Sequence, residues 1–210
     1  MKIARSALML LLAVAVATVS FVSGSVSADE GHDHAKKGHD HESMMQKEKR
    51  ITEALSALPV EDQKSAKAQR FCPIMTYDRL GMMGTPVKVS IDGKPVFLCC
   101  RACKDEAVKR GAKTVKTVAK LRDATKTLAE LPMTERMAIE AQKYCAVADT
   151  SFLGSMGKPI KLEVKGKPIY LCCKGCSKKA TTDPSGTLAK AEKLKKAGML
   201  HGHDHQHSKQ

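Results

Sequence analysis

The 210-residue chain has no tryptophan, and only three tyrosines and four phenylalanines supply its rings. So few aromatics leave a thin apolar core for any domain built here, and little to stack on nucleobases. Histidine is absent from the whole interval between His41 and His201. An acid–base pair inside that interval would have to use Asp, Glu, Lys or Tyr, so no imidazole-based catalytic constellation can form there and a non-enzymatic role is expected. The longest apolar run, Ala7 to Val22, is shorter than the ~20 residues a membrane-spanning helix needs.

That run reads as an export signal. Lys2 and Arg5 make a short basic start, Ala7 to Val22 is free of charge, and Val26-Ser27-Ala28 puts small residues where a signal peptidase would cut. A signal peptide over residues 1–28 is therefore expected, giving a periplasmic or otherwise exported protein with no stable membrane span after cleavage. Removing Lys2 and Arg5 leaves 34 basic against 22 acidic side chains, a net charge of +12. Export and the scarcity of rings argue against nucleic acid as the partner of that charge, and the lysines are spread along helical stretches as a solvated face would be.

What the chain does have is cysteine, eight times and in two copies of one pattern. Cys72, Cys99, Cys100 and Cys103 are followed 73 residues later by Cys145, Cys172, Cys173 and Cys176. The duplication is gapless, and 16 of the 36 positions from Ala68 to Cys103 are identical at that offset. It runs past the cysteines, because Thr52, Leu55, Leu58 and Pro59 return as Thr125, Leu128, Leu131 and Pro132. Two small cysteine modules, residues 52–124 and 125–197, are expected to adjoin without a linker. The flanks, 29–51 and 198–210, are rich in His, Asp, Lys, Gly and Gln with little to bury, so disordered tails are expected there.

Within each module the reading is helix, knuckle, hairpin, helix. Pro59 and Pro132 open polar helical runs with Glu61, Asp62 and Glu135 in the first turn, where carboxylates suit the free amides. Val87, Val89 and Ile91 alternate up to Asp92-Gly93, and Val96-Phe97-Leu98 follows, which is a hairpin signal. Ile160, Leu162 and Val164, then Lys165-Gly166, then Ile169-Tyr170-Leu171 repeat it. Cys-Cys-x-x-Cys and one Lys/Ala-rich helix come next, so the last cysteines sit where a strand hands over to a helix. The fold class expected is α+β, two tandem treble-clef-like modules.

Thiols in this arrangement suit three chemistries. Thiolates converging from a knuckle and a helix start make a closed site for a soft metal ion, and help stabilise a small domain. Adjacent strand residues point to opposite faces, so only one of Cys99 and Cys100 is expected to face the same ion as Cys72 and Cys103. Three thiolates suit copper(I) better than structural zinc. The second chemistry is disulfides, natural for an exported chain with an even cysteine count, which would make this a stabilised module binding an envelope partner. The third is a redox role for Cys100-Arg101-Ala102-Cys103 and Cys173-Lys174-Gly175-Cys176, although no strand–helix–strand frame surrounds them. Haem attachment is excluded, since Lys104 and Ser177 stand where a histidine is needed.

Cys72-Pro73-Ile74, Leu80-Gly81-x-Met83-Gly84-x-Pro86-x-Lys88 and Asp92-Gly93-Lys94-Pro95-Val96-Phe97-Leu98-Cys99-Cys100-x-x-Cys103 together resemble the small heavy-metal-binding modules of the TRASH and YHS-like group. That resemblance spans both repeats. It implies a metal-binding role in an exported protein, with metal-efflux or envelope proteins as candidate partners. The family pattern of a lone cysteine, a hairpin and Cys-x-x-x-Cys falls on Cys72, Cys99 and Cys103 and on Cys145, Cys172 and Cys176, leaving Cys100 and Cys173 as extra sulfurs.

Two further groups of soft or borderline ligands complete the inventory. Met75, Met82 and Met83 lie in the loop beside the first site; at that offset only Met83 keeps its methionine, as Met156. The flanks carry His32, His34, His39 and His41 on one side and His201, His203, His205 and His207 on the other, interspersed with Asp. Such clusters on flexible chain suit weak capture of divalent metals. The ligand expected overall is a heavy-metal ion, copper or zinc, held for buffering, delivery or resistance.

Overall fold

The computed structural model describes residues 44–201. The signal peptide expected over 1–28, and His32, His34, His39, His41, His203, His205 and His207, lie outside the described residues; His201 is the last residue of the final helix. The fold is α+β. Helices α1 (Met44–Ser56) and α2 (Val60–Gln69) precede strands β1 (Val87–Ile91) and β2 (Lys94–Leu98). Helices α3 (Cys103–Arg110), α4 (Ala112–Ala129) and α5 (Met133–Gln142) lead to β3 (Ile160–Val164) and β4 (Lys167–Leu171), and α6 (Lys174–Thr182) and α7 (Pro184–His201) close the described chain.

Both hairpins form in the register that the alternating apolar residues dictate. Val87 pairs with Leu98 and Ile91 with Lys94, and the equivalent pairs at the 73-residue offset are Ile160 with Leu171 and Val164 with Lys167. Each two-residue turn holds both of its positions at positive φ, 52° and 71° at Asp92-Gly93 and 51° and 72° at Lys165-Gly166. That geometry matches the twist of the flanking strands. Burial then follows the pleat: Val89 and Ile91 face the core while Lys88 and Ser90 do not. Lys88 instead donates to Asp62 in the first turn of α2 at 2.7 Å, tying strand to helix.

Two expectations need correction. The Lys/Ala-rich stretch after the cysteines is two helices in each copy rather than one. Gly111 breaks the first with φ 47°, and Thr114 stitches across the break by donating to the Ala107 carbonyl at 2.8 Å. In the second, Pro184 starts a new helix and the Asp183 carboxylate caps it, accepting from the Gly186 amide at 2.9 Å. Moreover, residues 44–51 and 198–201, expected within disordered tails, are helical. Ile51 is buried against the first core, which is why the apolar face of α1 orders the turns before it.

The boundary at 124/125 falls inside α4. Helix α1 lies 73 residues before positions 117–129, and α7 lies 73 residues after positions 111–128, so α4 corresponds to both. Its N-terminal part closes the first core through Val118, and its C-terminal part opens the second through Leu128. Leu121, between them, packs with Phe71, Phe152 and Tyr144 in a third cluster. Four of the six aromatic residues in the described region meet at this junction: Tyr144 stacks on Phe152 at 4.8 Å between centroids and takes Tyr77 edge-on at 5.9 Å, while Phe71 joins through Leu121. Arg70 adds a bidentate pair to Glu140 at 2.8 and 2.9 Å.

Candidate metal centres

Each centre is assembled from three pieces of chain. Helix α2 ends where Arg70 takes φ 64°, turning the chain into a knuckle closed by the Cys72 amide donating to the Asp78 carbonyl at 3.0 Å. Lys143, with φ 66°, and the Cys145 amide donating to the Ser151 carbonyl at 3.0 Å do the same in the second copy. Cys99 and Cys172 follow the inner strands directly. Cys103 opens α3 and Cys176 lies in the first turn of α6.

A buried glutamine, passed over in the sequence, holds the knuckle against the strand. Gln69 is fully buried; its amide nitrogen donates to the Phe71 and Phe97 carbonyls at 2.9 and 2.6 Å, and its oxygen accepts from the Phe97 amide at 3.0 Å. Gln142 repeats this with Tyr144 and Tyr170 at 2.9, 2.7 and 3.0 Å. The same side chain thus joins the residue before Cys72 to the strand that delivers Cys99. Its identity at the 73-residue offset was the available signal; only the folded chain explains it.

The consequence is two groups of three buried thiols, Cys72 with Cys99 and Cys103, and Cys145 with Cys172 and Cys176, in each of which the sulfurs all lie within 4.8 Å of one another. Cys99 and Cys103 are 3.7 Å apart, as are Cys172 and Cys176. Three sulfurs on one ion at ~2.3 Å would stand ~4 Å apart in a planar triangle and ~3.8 Å apart along a tetrahedral edge. The thiols therefore fit a soft ion with little movement, and all eight are free.

Cys100 and Cys173 are half-buried and nearer than alternation along a strand predicts, because both strands end one residue before the Cys-Cys pair. Cys100 lies 4.0 Å from Cys99 and 3.8 Å from Cys103, and Cys173 lies 3.7 Å from Cys176. Met75 and Met82 pack against the core that holds the first triad, whereas Met83 is exposed.

The thiols of a triad do not ionise alike. The Cys72 sulfur is drawn down to about 6, chiefly by the Cys99 thiol donating to it and also by the Met75, Cys99 and Ile74 amides, against the opposing effect of burial. Cys99 is pushed up by that same contact, and Cys103 is pushed up to about 12 by burial and by the charge on Cys72. In the second triad burial opposes ionisation of Cys145, but amides from Ala148, Cys172 and Val147 outweigh it, the last donating at 3.4 Å. Burial raises Cys172, and raises Cys176 to about 11. The knuckle sulfur is thus the most readily ionised of each triad, through a neighbouring thiol above all at Cys72 and through backbone amides at Cys145.

No protein-family model, curated protein or solved structure matches this chain. Among the described residues no helix is long and apolar enough to cross a membrane.

Proposed function

We propose that the protein is an exported, non-enzymatic heavy-metal-binding protein that takes up one soft ion per cysteine triad, with copper or zinc as its ligand, in buffering, delivery or resistance. The observation that carries this reading is the pair of buried triads, Cys72/Cys99/Cys103 and Cys145/Cys172/Cys176, each with its sulfurs within 4.8 Å. Three buried thiols, with the knuckle sulfur the most readily ionised among them, favour a soft, thiophilic ion; of the two candidates copper(I) accepts three-coordinate thiolate more readily. The resemblance to TRASH and YHS-like modules supports the same class, and candidate partners are metal-efflux or envelope proteins that exchange ions with it. The histidine-rich flanks would collect divalent ions loosely, at sites sharing no residue with the triads.

The test is mass spectrometry of protein taken from its own compartment, first native and then denatured and alkylated with chelator but without reductant. Two bound ions, followed by eight alkylated cysteines, support the proposal. A metal-free protein whose cysteines alkylate only after reduction overturns it in favour of a disulfide-stabilised module.

A further inference from the structure

Resting on the metal-binding reading, we infer that Cys100 and Cys173 are exchange ligands: half-exposed sulfurs through which an ion enters and leaves the buried triad. In the first site four sulfurs form two triangles with a common edge. Cys72, Cys99 and Cys103 make the inner one, buried throughout. Cys99, Cys100 and Cys103 make the outer one, with edges of 3.7, 3.8 and 4.0 Å. The common edge is Cys99–Cys103, so an ion crossing from outer to inner keeps two metal–sulfur bonds while trading Cys100 for Cys72. The second site offers the corresponding contact, Cys173 to Cys176 at 3.7 Å.

A buried triad alone could not do this. Cys72 and Cys145 are fully buried and the other triad sulfurs nearly so, leaving an incoming thiolate or chelator no ligand to displace in contact with solvent. Cys100 and Cys173 are the partly exposed members of each set and recur at the same place in both copies. The step balances as a ligand exchange. A metal–Cys100 bond forms as the Cys100 thiol passes its proton to water, and the metal–Cys72 bond breaks with its electron pair returning to the Cys72 sulfur. The incoming donor then bonds to the ion in the outer triangle, with no change of oxidation state. Arg101 and Lys174, exposed immediately after these sulfurs, favour anionic donors such as thiolates or an acidic partner surface.

The experiment loads the full chain with copper(I), two ions per chain, and follows transfer to an anionic copper(I) chelator by stopped-flow absorbance. It compares the unaltered protein with the double variant Cys100→Ser/Cys173→Ser and with Cys100→Met/Cys173→Met, which restores a soft donor. The Ser variant should keep two ions and equilibrium affinity within about threefold while transferring at least tenfold more slowly, and the Met variant should recover part of the rate. Unchanged transfer overturns the inference, as does a Ser variant that loses affinity a hundredfold and releases faster, which would make these sulfurs holding ligands. Failure of the unaltered protein to bind copper(I) or zinc would instead overturn the function proposed above. Circular dichroism of the metal-free variants separates both results from a loss of fold.

Discussion

In each candidate metal centre a side chain that offers no ligand holds the knuckle to the strand. Gln69 satisfies two carbonyls and one amide in a fully buried position, and an unsatisfied buried group costs ~1–3 kcal/mol. Gln69→Ala should therefore destabilise the apo protein by about 3 kcal/mol in chemical denaturation. It should also weaken metal binding at the first site more than at the second, because the knuckle is no longer held to the strand. A second residue-scale expectation concerns pH. Between about 6 and 9 Cys72 is already an anion while Cys99 and Cys103 hold their protons, so an ion binding to the triad displaces about two protons. Because binding releases these protons, raising the pH favours the bound state and affinity strengthens with pH. The logarithm of the binding constant should climb by about two per pH unit in that window and more steeply below it. Titration calorimetry in buffers of differing ionisation enthalpy measures the proton count directly.

Among the elements, the loop from knuckle to hairpin touches the first helix of its copy through a glycine. Gly81 sits at φ 95°, and a Cβ there would meet the Ile51 carbonyl oxygen at 3.0 Å and its Cα at 3.1 Å, both on the backbone of α1. Gly154 stands in the same relation to Ala124 of α4. Gly84 has a similar φ of 98° but nothing within 4 Å of the added carbon. The two positions separate backbone strain from steric clash. Gly84→Ala should cost about 1 kcal/mol, the strain alone, and Gly81→Ala about 2 kcal/mol more. Thermal melts of the two variants side by side read the difference.

At the scale of the whole molecule the shared helix and the aromatic junction make one folding unit of two copies. Removing the first copy would strip α4 of α2, α3 and β2, removing the second would bare Leu121 and Leu128, and Tyr144, neighbour of Cys145, is bonded to Thr76 of the first knuckle at 2.6 Å. Residues 44–201 should accordingly unfold in a single transition, with near-ultraviolet and far-ultraviolet signals coinciding. Leu121→Ala, at a position 1 % exposed between the cores, should destabilise the fold by ~2–5 kcal/mol, lowering that one midpoint without splitting it. Two resolved transitions would mean that the copies fold independently.

Cysteine spacing, turn residues and apolar alternation were legible because they act over a few residues. The Asp92-Gly93 and Lys165-Gly166 turns fix two hairpins locally, and the gapless offset declares two copies of one site. The sequence by itself therefore determined the α+β class, the hairpin register and the two sets of four thiols. The resemblance to TRASH and YHS-like modules implied which three sulfurs of each set group together, but only the tertiary structure buries them as one cluster, with a glutamine reaching 28 residues along the chain to the strand before the Cys-Cys pair. It also decided that the copies share α4, where a boundary drawn by periodicity falls mid-helix. A repeat in sequence records where residues recur; which core a residue such as Leu121 enters is settled by what packs against it, and those partners come from both copies.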